Sequence, residues 1–415
     1  MADISSWRWP VGRDPAFGRR LYQLRTERGL SLNRLGKIAS FSPGFLSELE
    51  AATKGPSAET AARLDELLEA GGQLVALASS VRRPPQAPRV LPMEQIETLR
   101  RQVNETITSS GMSPAAVDDW EQTVREHGRA TRYRPPAIHL DELYGDFAEL
   151  GHQLKNRHSS FTLRRLTRVT AQLAGLMFLT LIKMNERDAA RTWARTARVA
   201  AREAGDARVH SWVRAQEAYV HFYSDRYDEA LTVAQHAQDL VDEAPCVGAV
   251  LAAALEARAL GKMRRAEDAR AAIGTAETIL AHLDAEAVTA SAFGYDEAQL
   301  RFHEGNALTH LHDSPAAWRA QQRALALYPD SDYLDRALVK LDRASCLTQD
   351  GDPAASLDYA TDALASLNDA ERQGLLTVRG REVFHQLPAA ARNLPAGRAF
   401  HDLLMITAAS EGNDS

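Results

Sequence analysis

The chain has only two cysteines and no long apolar segment, and each absence excludes a class of protein. Cys246 and Cys346 lie far apart in the 415-residue sequence and outside any metal-ligand spacing. Two isolated cysteines suit a reducing compartment, where they fill core volume instead of forming a disulfide framework. No secretory pattern opens the chain, and no apolar run reaches the roughly 18 residues of a membrane span. The sequence therefore predicts a soluble, cytoplasmic protein.

The residue motifs of catalysis are absent as well. The sequence contains no phosphate-binding loop, no Gly-x-Ser-x-Gly and no Cys–His pairing. The segment RFHEGNALTHLHD does bring together Glu304 and three histidines, His303, His310 and His312. It lacks the His-Glu-x-x-His spacing of zinc enzymes, and His310 and His312 point to opposite sides of a helix. We expect neither an enzyme nor a metal or other cofactor.

Length and charge indicate more than one domain. A chain of this size, with 45% hydrophobic residues, predicts two to three domains with ample cores. The net charge of -6 is uneven, since residues 1–135 carry +3 and the remainder carries -9. Between Arg8 and Lys37 there are eight basic and two acidic residues, a local net charge of +6. This basic segment is where we expect a polyanion to bind.

The stretch SLNRLGKIASFSPGFLSELE, Ser31 to Glu50, predicts two short helices joined by a three-residue turn. A serine precedes each helix as a cap, and Pro43 at a first helical position loses no hydrogen bond. The predicted buried face of the first helix is Leu35, Ile38 and Ala39. Phe17 to Arg28 and a segment from Ser57 show the same apolar periodicity. These segments predict a four-helix unit with a helix-turn-helix at its centre.

The motifs LRTERGLS, LGKIASFS, FLSELE and PS resemble the Cro/phage-repressor (XRE) helix-turn-helix family over Phe17 to Leu77. In that family the second helix lies across the DNA backbone and the third enters the major groove. The resemblance implies a domain of residues 12–78 that binds double-stranded DNA, with Arg25 and Glu50 as a structural ion pair. The sequence departs from the family at the turn, where Ser40 replaces the usual glycine. The other interpretation is a small helical bundle without a DNA role.

The resemblance also implies which residues meet DNA. The positions that face the major groove are Ser42, Pro43, Gly44, Ser47 and Glu48. Pro43 and Gly44 have no side-chain donor or acceptor, so base reading depends on Ser47 and on Glu48, whose carboxylate accepts from a cytosine amino group. The residues expected at phosphates are Asn33, Lys37 and Lys54. Because this helix makes few base contacts, we expect specificity to depend on DNA shape, spacing or a partner subunit. A single domain with so weak a reading helix has little affinity, so we expect a homodimer.

Residues 79–136 predict a Pro-rich linker followed by bridging helices. The segment SSVRRPPQAPRVLP, Ser79 to Pro92, contains four prolines and three arginines and suits an extended spacer. Ser113 to Gly128 begins with a cap and a first-turn proline, and its apolar residues follow helical spacing. This segment is too short to fold alone. It either docks on the C-terminal body or pairs between protomers.

From residue 137 to residue 410 the chain predicts consecutive helices with an internal repeat. A small residue is followed twelve positions later by a second and seven positions after that by a third. The four copies are Ala218/Ala230/Ala237, Ala257/Ala269/Ala276, Gly305/Ala317/Ala324 and Ala344/Ser356/Ala363. Small side chains at these points let two antiparallel helices cross closely and stack on the next pair. The longer interval between the second and third copies predicts an insertion near Asp284 to Gly294.

With DRYDEAL as a turn and ALALYP as a helix end, the pattern resembles the tetratricopeptide (TPR) repeat. The resemblance implies a right-handed α-solenoid whose concave groove is lined by the first helix of each pair. The candidate groove residues are Tyr219, Phe222, Arg258, Gln299, Phe302, Asn306, Thr309, His310 and Ser345. They suit an extended peptide, with Asn306 bonding its backbone, and equally suit a solvated groove or contacts with the bridging helices. Generic packing of an alanine-rich chain is the other explanation for the spacing.

The two parts together resemble the actinobacterial XRE–TPR regulators, and their layout is similar to that of the peptide-sensing regulators of Gram-positive quorum sensing. The resemblance implies a homodimeric transcription regulator that binds double-stranded DNA. In some members a peptide binds in the groove, and we expect a peptide or small-molecule effector in the groove of this chain. The alternative is a non-catalytic scaffold, in which the repeats bind a protein partner and the helix-turn-helix has a docking role.

Overall fold

The computed structural model describes residues 16–81, 98–100, 112–242 and 244–411. They form two compact units, one within residues 1–100 and the other within 101–415. Regular secondary structure in these ranges is helical, and the described residues contain no β-strand. The predicted all-α fold, an N-terminal helix-turn-helix domain followed by a TPR-like helical body, is confirmed. Residues 82–92 of the predicted Pro-rich spacer, Ser79 to Pro92, lie outside the described residues.

The N-terminal unit is a bundle of short helices around a leucine-rich core. Its helices are α1 (Ala16–Glu27), α2 (Leu32–Ala39), α3 (Pro43–Glu50), α4 (Ala58–Leu67) and α5 (Gln73–Val81). Its fully buried residues include Leu21, Leu35, Leu46, Leu64, Leu68 and Leu74. The last helix was not predicted. The carboxylate of Asp65 fixes its start by accepting from the N–H groups of Gly72 at 2.7 Å and Leu74 at 2.6 Å.

The turn between α2 and α3 explains two features of the sequence. Ser40 adopts the left-handed conformation, with φ of 64°, which is why a glycine suits this position. A Cβ on Gly36 would lie 2.6 Å from the carbonyl oxygen of Phe41, so Gly36 lets the turn close over α2. The predicted burial of Ile38 is wrong, because its side chain is 47% exposed. Leu35, Gly36 and Ala39 form the inward face, and Ile38 lies roughly 100° around the helix from its centre.

The body consists of helices that follow one another as antiparallel pairs. It begins with α6 (Pro114–Ala130) and α7 (Pro136–Gln153), followed by α8 (Ser160–Lys183) with α9 (Arg187–Ala204) and α10 (Ala207–Phe222) with α11 (Tyr227–Asp239). Next come α12 (Val247–Lys262) with α13 (Ala266–Ala281), α14 (Glu297–Leu311) with α15 (Ser314–Leu327), and α16 (Tyr333–Gln349) with α17 (Pro353–Ala365). The last described helices are α18 (Asp369–Arg372), α19 (Leu375–Gln386), α20 (Ala389–Arg392) and α21 (Pro395–Glu411).

The recurring small residues lie where the helices of each pair cross. All three members of the second copy, Ala257, Ala269 and Ala276, are completely buried. In the third copy, a Cβ on Gly305 would lie 3.0 Å from the side chain of Gln321 on the partner helix. Larger residues would therefore push the helices apart. The spacing found in the sequence is a packing signal, and each copy corresponds to one helix pair.

The segment before the repeats docks on the body, which is one of the two alternatives left open by the sequence. Val117 and Val124 of α6 share one buried core with Leu166 and Leu173 of α8. The predicted insertion also packs here, as a 3-10 turn at Ala285–Ala287 followed by a loop. In that loop the N–H of Ala292 donates to the carbonyl of Gly128 at 2.8 Å, and the carbonyl of Ala292 accepts from the indole of Trp212 at 2.6 Å.

One helix of the body, α8, is long and apolar enough to cross a membrane by length and composition. Of the apolar window in this helix, 67% is buried inside the protein. A core helix of a globular domain has the same composition. The expectation that no membrane-length apolar segment exists was too strict, and the burial explains why the helix is apolar.

Candidate nucleic-acid interface and ligand cavity

The residues predicted to meet DNA are accessible in the helix-turn-helix. All eight are exposed: Asn33, Lys37, Ser42, Pro43, Gly44, Ser47, Glu48 and Lys54. Arg34, also exposed in the first turn of α2, was not among them, although the local net charge of +6 includes it. The structure thus leaves these residues accessible to a partner, and their contact with DNA stays a prediction.

The start of α3 is well capped and yet sterically open. Ser42 caps it, since its Oγ accepts from the N–H of Phe45 at 3.1 Å. A Cβ on Gly44 would meet no described atom within 4 Å. A glycine inside a helix costs roughly 0.5–1 kcal/mol relative to alanine. Packing among the described residues therefore gives no reason for glycine at this position, whereas close approach of an external surface does.

The basic and acidic side chains at the other end of α3 already interact. Lys54 Nζ lies 3.5 Å from Glu48 Oε2 and 4.9 Å from the centre of the Phe45 ring. Both charged side chains are more than half exposed, at 56% and 53%. Exposed pairs of this kind contribute little stability, on the order of 0–1 kcal/mol. A phosphate can therefore replace Glu48 as the partner of Lys54 at small cost.

The ion pair between α1 and α3 is present as predicted. Arg25 donates through Nε to Glu50 Oε1 at 2.6 Å and through Nη2 to Glu50 Oε2 at 2.8 Å. Its remaining nitrogen, Nη1, donates to the carbonyl of Leu30 at 2.8 Å. The hydrogen bond to Glu50 raises the pKa of Arg25. Only 11% and 9% of the two side chains are exposed, so the pair is a buried clamp that positions α3.

In the helical body, the first helices of successive pairs converge on a cavity. Its interior volume is about 30 Å³, and its mouth opens to solvent. Five of the nine predicted groove residues line it: Phe222, Arg258, Phe302, Asn306 and His310. The three from α14 are spaced four apart, which places them on one helix face. Asp342 of α16 and Arg379 of α19, which the sequence analysis did not select, complete the wall.

Arg258 is a buried cation surrounded by aromatic rings. Its side chain is 2% exposed, and its guanidinium carbon lies 4.4 Å from the ring centre of Phe222 and 5.3 Å from that of Phe302. The rings of Tyr223 and Tyr219 follow at 5.5 Å and 5.7 Å. Ring faces attract a desolvated cation, so this cage holds the charge of Arg258 inside the protein.

A chain of hydrogen bonds aligns Arg258 with helices farther along the body. Arg258 Nε donates to Asn306 Oδ1 at 2.8 Å, and Asn306 Nδ2 donates to Asp342 Oδ2 at 2.8 Å. Arg379 Nη2 in turn donates to Asp342 Oδ1 at 2.5 Å. The oxygen and the nitrogen of Asn306 therefore both have partners within the protein. Asn306 positions Arg258, which differs from the expectation of an amide open to a peptide backbone.

A second cavity, with an interior volume of about 80 Å³, adjoins the first, and both are lined by Tyr223 and Phe302. Two further predicted groove residues, Tyr219 and Gln299, line this second cavity. Thr309 and Ser345 line neither cavity, so their assignment to the groove surface is wrong. Thr309 is completely buried and donates to the carbonyl of Gly305 at 2.7 Å, on the side of α14 that packs against α15. Ser345 is 1% exposed and bonds within its own helix.

Several buried polar atoms on residues lining the two cavities have no hydrogen-bond partner among the described residues. They are Arg258 Nη1 and His310 Nε2 at the first cavity, and Arg132 Nη2, Gln216 Oε1 and Gln299 Oε1 at the second. Leaving a buried polar atom unsatisfied costs about 1–3 kcal/mol. The cavities therefore combine apolar rings with donors and acceptors that a polar molecule would satisfy.

The histidines that raised the question of a metal site serve other purposes. His303 is buried between two tyrosines. Its Nε2 shares a hydrogen bond with the hydroxyl of Tyr219 at 2.7 Å, and its Nδ1 shares one with the hydroxyl of Tyr295 at 2.8 Å. Burial lowers its pKa well below the usual value. His312 Nε2 accepts from Arg264 at 2.8 Å. Within the described ranges, no group of three or more His, Cys, Asp or Glu residues is placed to hold a metal ion.

Comparison with known proteins identifies the N-terminal domain. No curated protein matches the sequence. Among solved structures, BtubC from P. vanneervenii is 17% identical, covers 58% of this chain and 91% of its own, and superposes with a TM-score of 0.35. Bacillus thuringiensis PlcR, in complex with the peptide PapR7 and DNA, is 13% identical, with coverages of 65% and 95% and a TM-score of 0.29. The family model described as a helix-turn-helix domain (HTH_31) matches residues 16–78, and this part of the chain is such a domain.

Proposed function

We propose that the protein is a cytoplasmic, homodimeric transcription regulator of the XRE type. In this proposal residues 16–78 bind double-stranded DNA, and the helical body senses a peptide or small-molecule effector. The observation that supports DNA binding best is the open start of α3, where Pro43 and Gly44 are exposed and glycine has no packing role. A helix N-terminus without bulky side chains lets its amides approach a phosphate or base edge closely.

We infer the dimer because α3 has few side chains that could contact base edges. Only Ser47 and Glu48 present side chains suited to base edges, and Glu48 is already near Lys54. Two linked domains on adjacent half-sites raise the effective affinity without any new contact. A dimer therefore compensates for a weak single domain.

The proposed sensing role is supported by the adjoining cavities of the body. Their aromatic walls and unsatisfied polar atoms suit a small polar ligand with apolar parts. A ligand that binds one arrangement of the repeats preferentially would change how the two DNA-binding domains are spaced. The size of that change is limited by the difference in ligand affinity between the arrangements.

The test is a mobility-shift titration of the full chain on duplex DNA from upstream of its own gene, repeated across a salt series. We expect Lys37→Ala with Lys54→Ala to weaken binding to all sequences and to reduce the slope of log affinity against log salt by about two, because each lysine neutralises one phosphate. Lys155→Ala removes an exposed lysine of the body and serves as the matched control. An unchanged slope in the double variant contradicts the phosphate contacts, and no DNA binding by the wild type favours the scaffold alternative.

A further inference from the structure

We propose that the effector of the body carries a carboxylate group, which accepts hydrogen bonds from Arg258 Nη1 in the first cavity while the rest of the ligand extends into the second. This inference rests on the proposed sensing function and specifies its ligand. Arg258 has three nitrogens, of which Nε bonds Asn306 and Nη2 donates to the hydroxyl of Tyr223 at 3.2 Å. Nη1 alone lacks a partner within the described part of the chain.

The guanidinium of Arg258 is preorganised to bind an anion. The aromatic cage and Asn306 fix the guanidinium, so binding requires little side-chain ordering, which otherwise weakens affinity. A charge-assisted hydrogen bond to a carboxylate is about twice as strong as a neutral one and gains further in a desolvated site. His310 lines the same cavity, and its buried Nε2 is a second nitrogen without a partner among the described residues.

The charge of the lining favours a monoanion. Four cationic side chains line the first cavity: Arg187, Arg258, Lys262 and Arg379. Three acidic ones, Asp225, Asp342 and Glu382, leave an excess of one positive charge. A carboxylate balances this excess, whereas a doubly charged phosphate would exceed it. Burial and the nearby Arg379 lower the pKa of His310 well below its usual value.

The second cavity fits uncharged polar groups. Its unsatisfied atoms are one donor, on Arg132, and two acceptors, on Gln216 and Gln299. The positive charge of Arg132 is already paired with carboxylates, because its Nη1 donates to Asp335 Oδ2 at 2.7 Å and to Asp332 Oδ2 at 3.2 Å. Amide groups supply the complementary acceptor and donors. The carboxylate therefore belongs either to the C-terminus of a short peptide or to a small organic acid.

The experiment compares acids with their neutral amides on the full chain. The probes are acetate against acetamide, and a library of N-acetylated dipeptides with free C-termini against the same library amidated. Thermal shift and the NMR titration of His310 are the readouts, because an anion beside His310 raises its pKa. We expect acetate and the acid library to stabilise the protein and shift His310, and the amides to do neither. A stronger effect of the acid library assigns the carboxylate to a peptide, and an effect of acetate alone assigns it to a small acid.

Arg258→Lys keeps the positive charge and removes Nη1, so we expect at least a tenfold loss of affinity for the acid probes. Arg343→Lys is the matched control, since Arg343 also stacks on an aromatic ring, Trp318 at 4.9 Å, but lines neither cavity. If Arg258→Lys does not fold, the acid-against-amide comparison on the wild type decides. Equal responses to acids and amides, or no response to either, overturn the proposal. Mobility shifts on the same protein separate this failure from a failure of DNA binding.

Discussion

At the scale of single residues, the buried pair of Arg25 and Glu50 makes the sharpest prediction about stability. Replacing Glu50 with alanine leaves the guanidinium of Arg25 buried without its bidentate partner, at a cost of roughly 3–5 kcal/mol. We expect Glu50→Ala to lower the urea midpoint of the N-terminal domain strongly. Its preference among DNA sequences should change little, because Glu50 is buried and faces α1.

Glu48→Ala is the matched control for this prediction. It removes a carboxylate from the same helix, but one that is 53% exposed and pairs with the exposed Lys54. We expect a change within about 0.5 kcal/mol in stability. If Glu50→Ala melts like the wild type and selects different operators, the assignment of Glu50 to the scaffold is wrong.

A second residue-scale prediction concerns pH and His139. This ring is 1% exposed and lies 3.3 Å from the ring nitrogen of His127, which in turn bonds Asp146 at 2.7 Å. Burial, aided by the charge of Lys183, lowers the pKa of His139 to about 3. The unfolded chain therefore binds a proton between about pH 6.5 and 3 that the folded body does not, and stability falls as the pH drops through this window.

We expect His139 to contribute a loss of about 1.4 kcal/mol per pH unit below pH 6.5. Urea unfolding at pH 7, 6 and 5 measures it. His139→Gln should flatten the pH dependence by this amount, and His152→Gln, an exposed histidine on the same helix, should leave it unchanged. Equal slopes for wild type and His139→Gln contradict the assignment.

Sequence reasoning found some site residues and missed others for a physical reason. Arg258 and Phe302 were selected because helical spacing from the small residues indicates which side chains face inward. Asp342 and Arg379 were missed because their contacts join residues 36 and 37 positions apart, and only the packing of successive pairs brings them together. Thr309 was misassigned since periodicity does not separate the groove side of a fully buried helix from its packing side.

At the scale of helices, the two glycines of the helix-turn-helix predict opposite outcomes. Gly44→Ala adds a methyl group in open space, so helix propensity should stabilise the domain by roughly 0.5–1 kcal/mol. If DNA approaches the start of α3 closely, the added methyl group should also weaken DNA binding. Calorimetry and mobility shifts on one variant measure both effects.

Gly36→Ala is the matched control, because its new Cβ would lie 2.6 Å from the carbonyl oxygen of Phe41. We expect this variant to destabilise the domain, and its DNA binding to weaken only as far as unfolding explains. Unchanged DNA affinity in Gly44→Ala would contradict close approach at the start of α3.

Helix boundaries and pairings were largely predictable, whereas some burial was not. Capping serines and small-residue spacing are local signals, and the structure has the helices where they indicate. Ile38 is exposed because it lies roughly 100° around α2 from the centre of the inward face, and the presence of α5 depends on contacts outside its own helical pattern. Asp65, for example, stabilises α5 by bonding backbone groups seven and nine residues later. Such tertiary contacts leave no periodic pattern in the sequence.

At the scale of the whole molecule, the two compact units have separate cores. Leu46 lies at the centre of the N-terminal core, and Leu173 belongs to the core shared by α6 and α8; both are completely buried. Truncating a buried leucine to alanine costs about 2–5 kcal/mol. Because the described cores share no residue, each substitution should lower the folding stability of one unit only.

We therefore expect calorimetry of the full chain to resolve two transitions. Leu46→Ala should lower the midpoint of one of them, and Leu173→Ala should lower the midpoint of the other. Duplex DNA should raise only the transition sensitive to Leu46, and the acid probes only the transition sensitive to Leu173, since a ligand stabilises the unit that binds it. A single transition that both variants shift equally would mean that the units unfold cooperatively. In that case a ligand in the body would also stabilise the DNA-binding domain directly, so spacing between domains would not be needed to explain its effect.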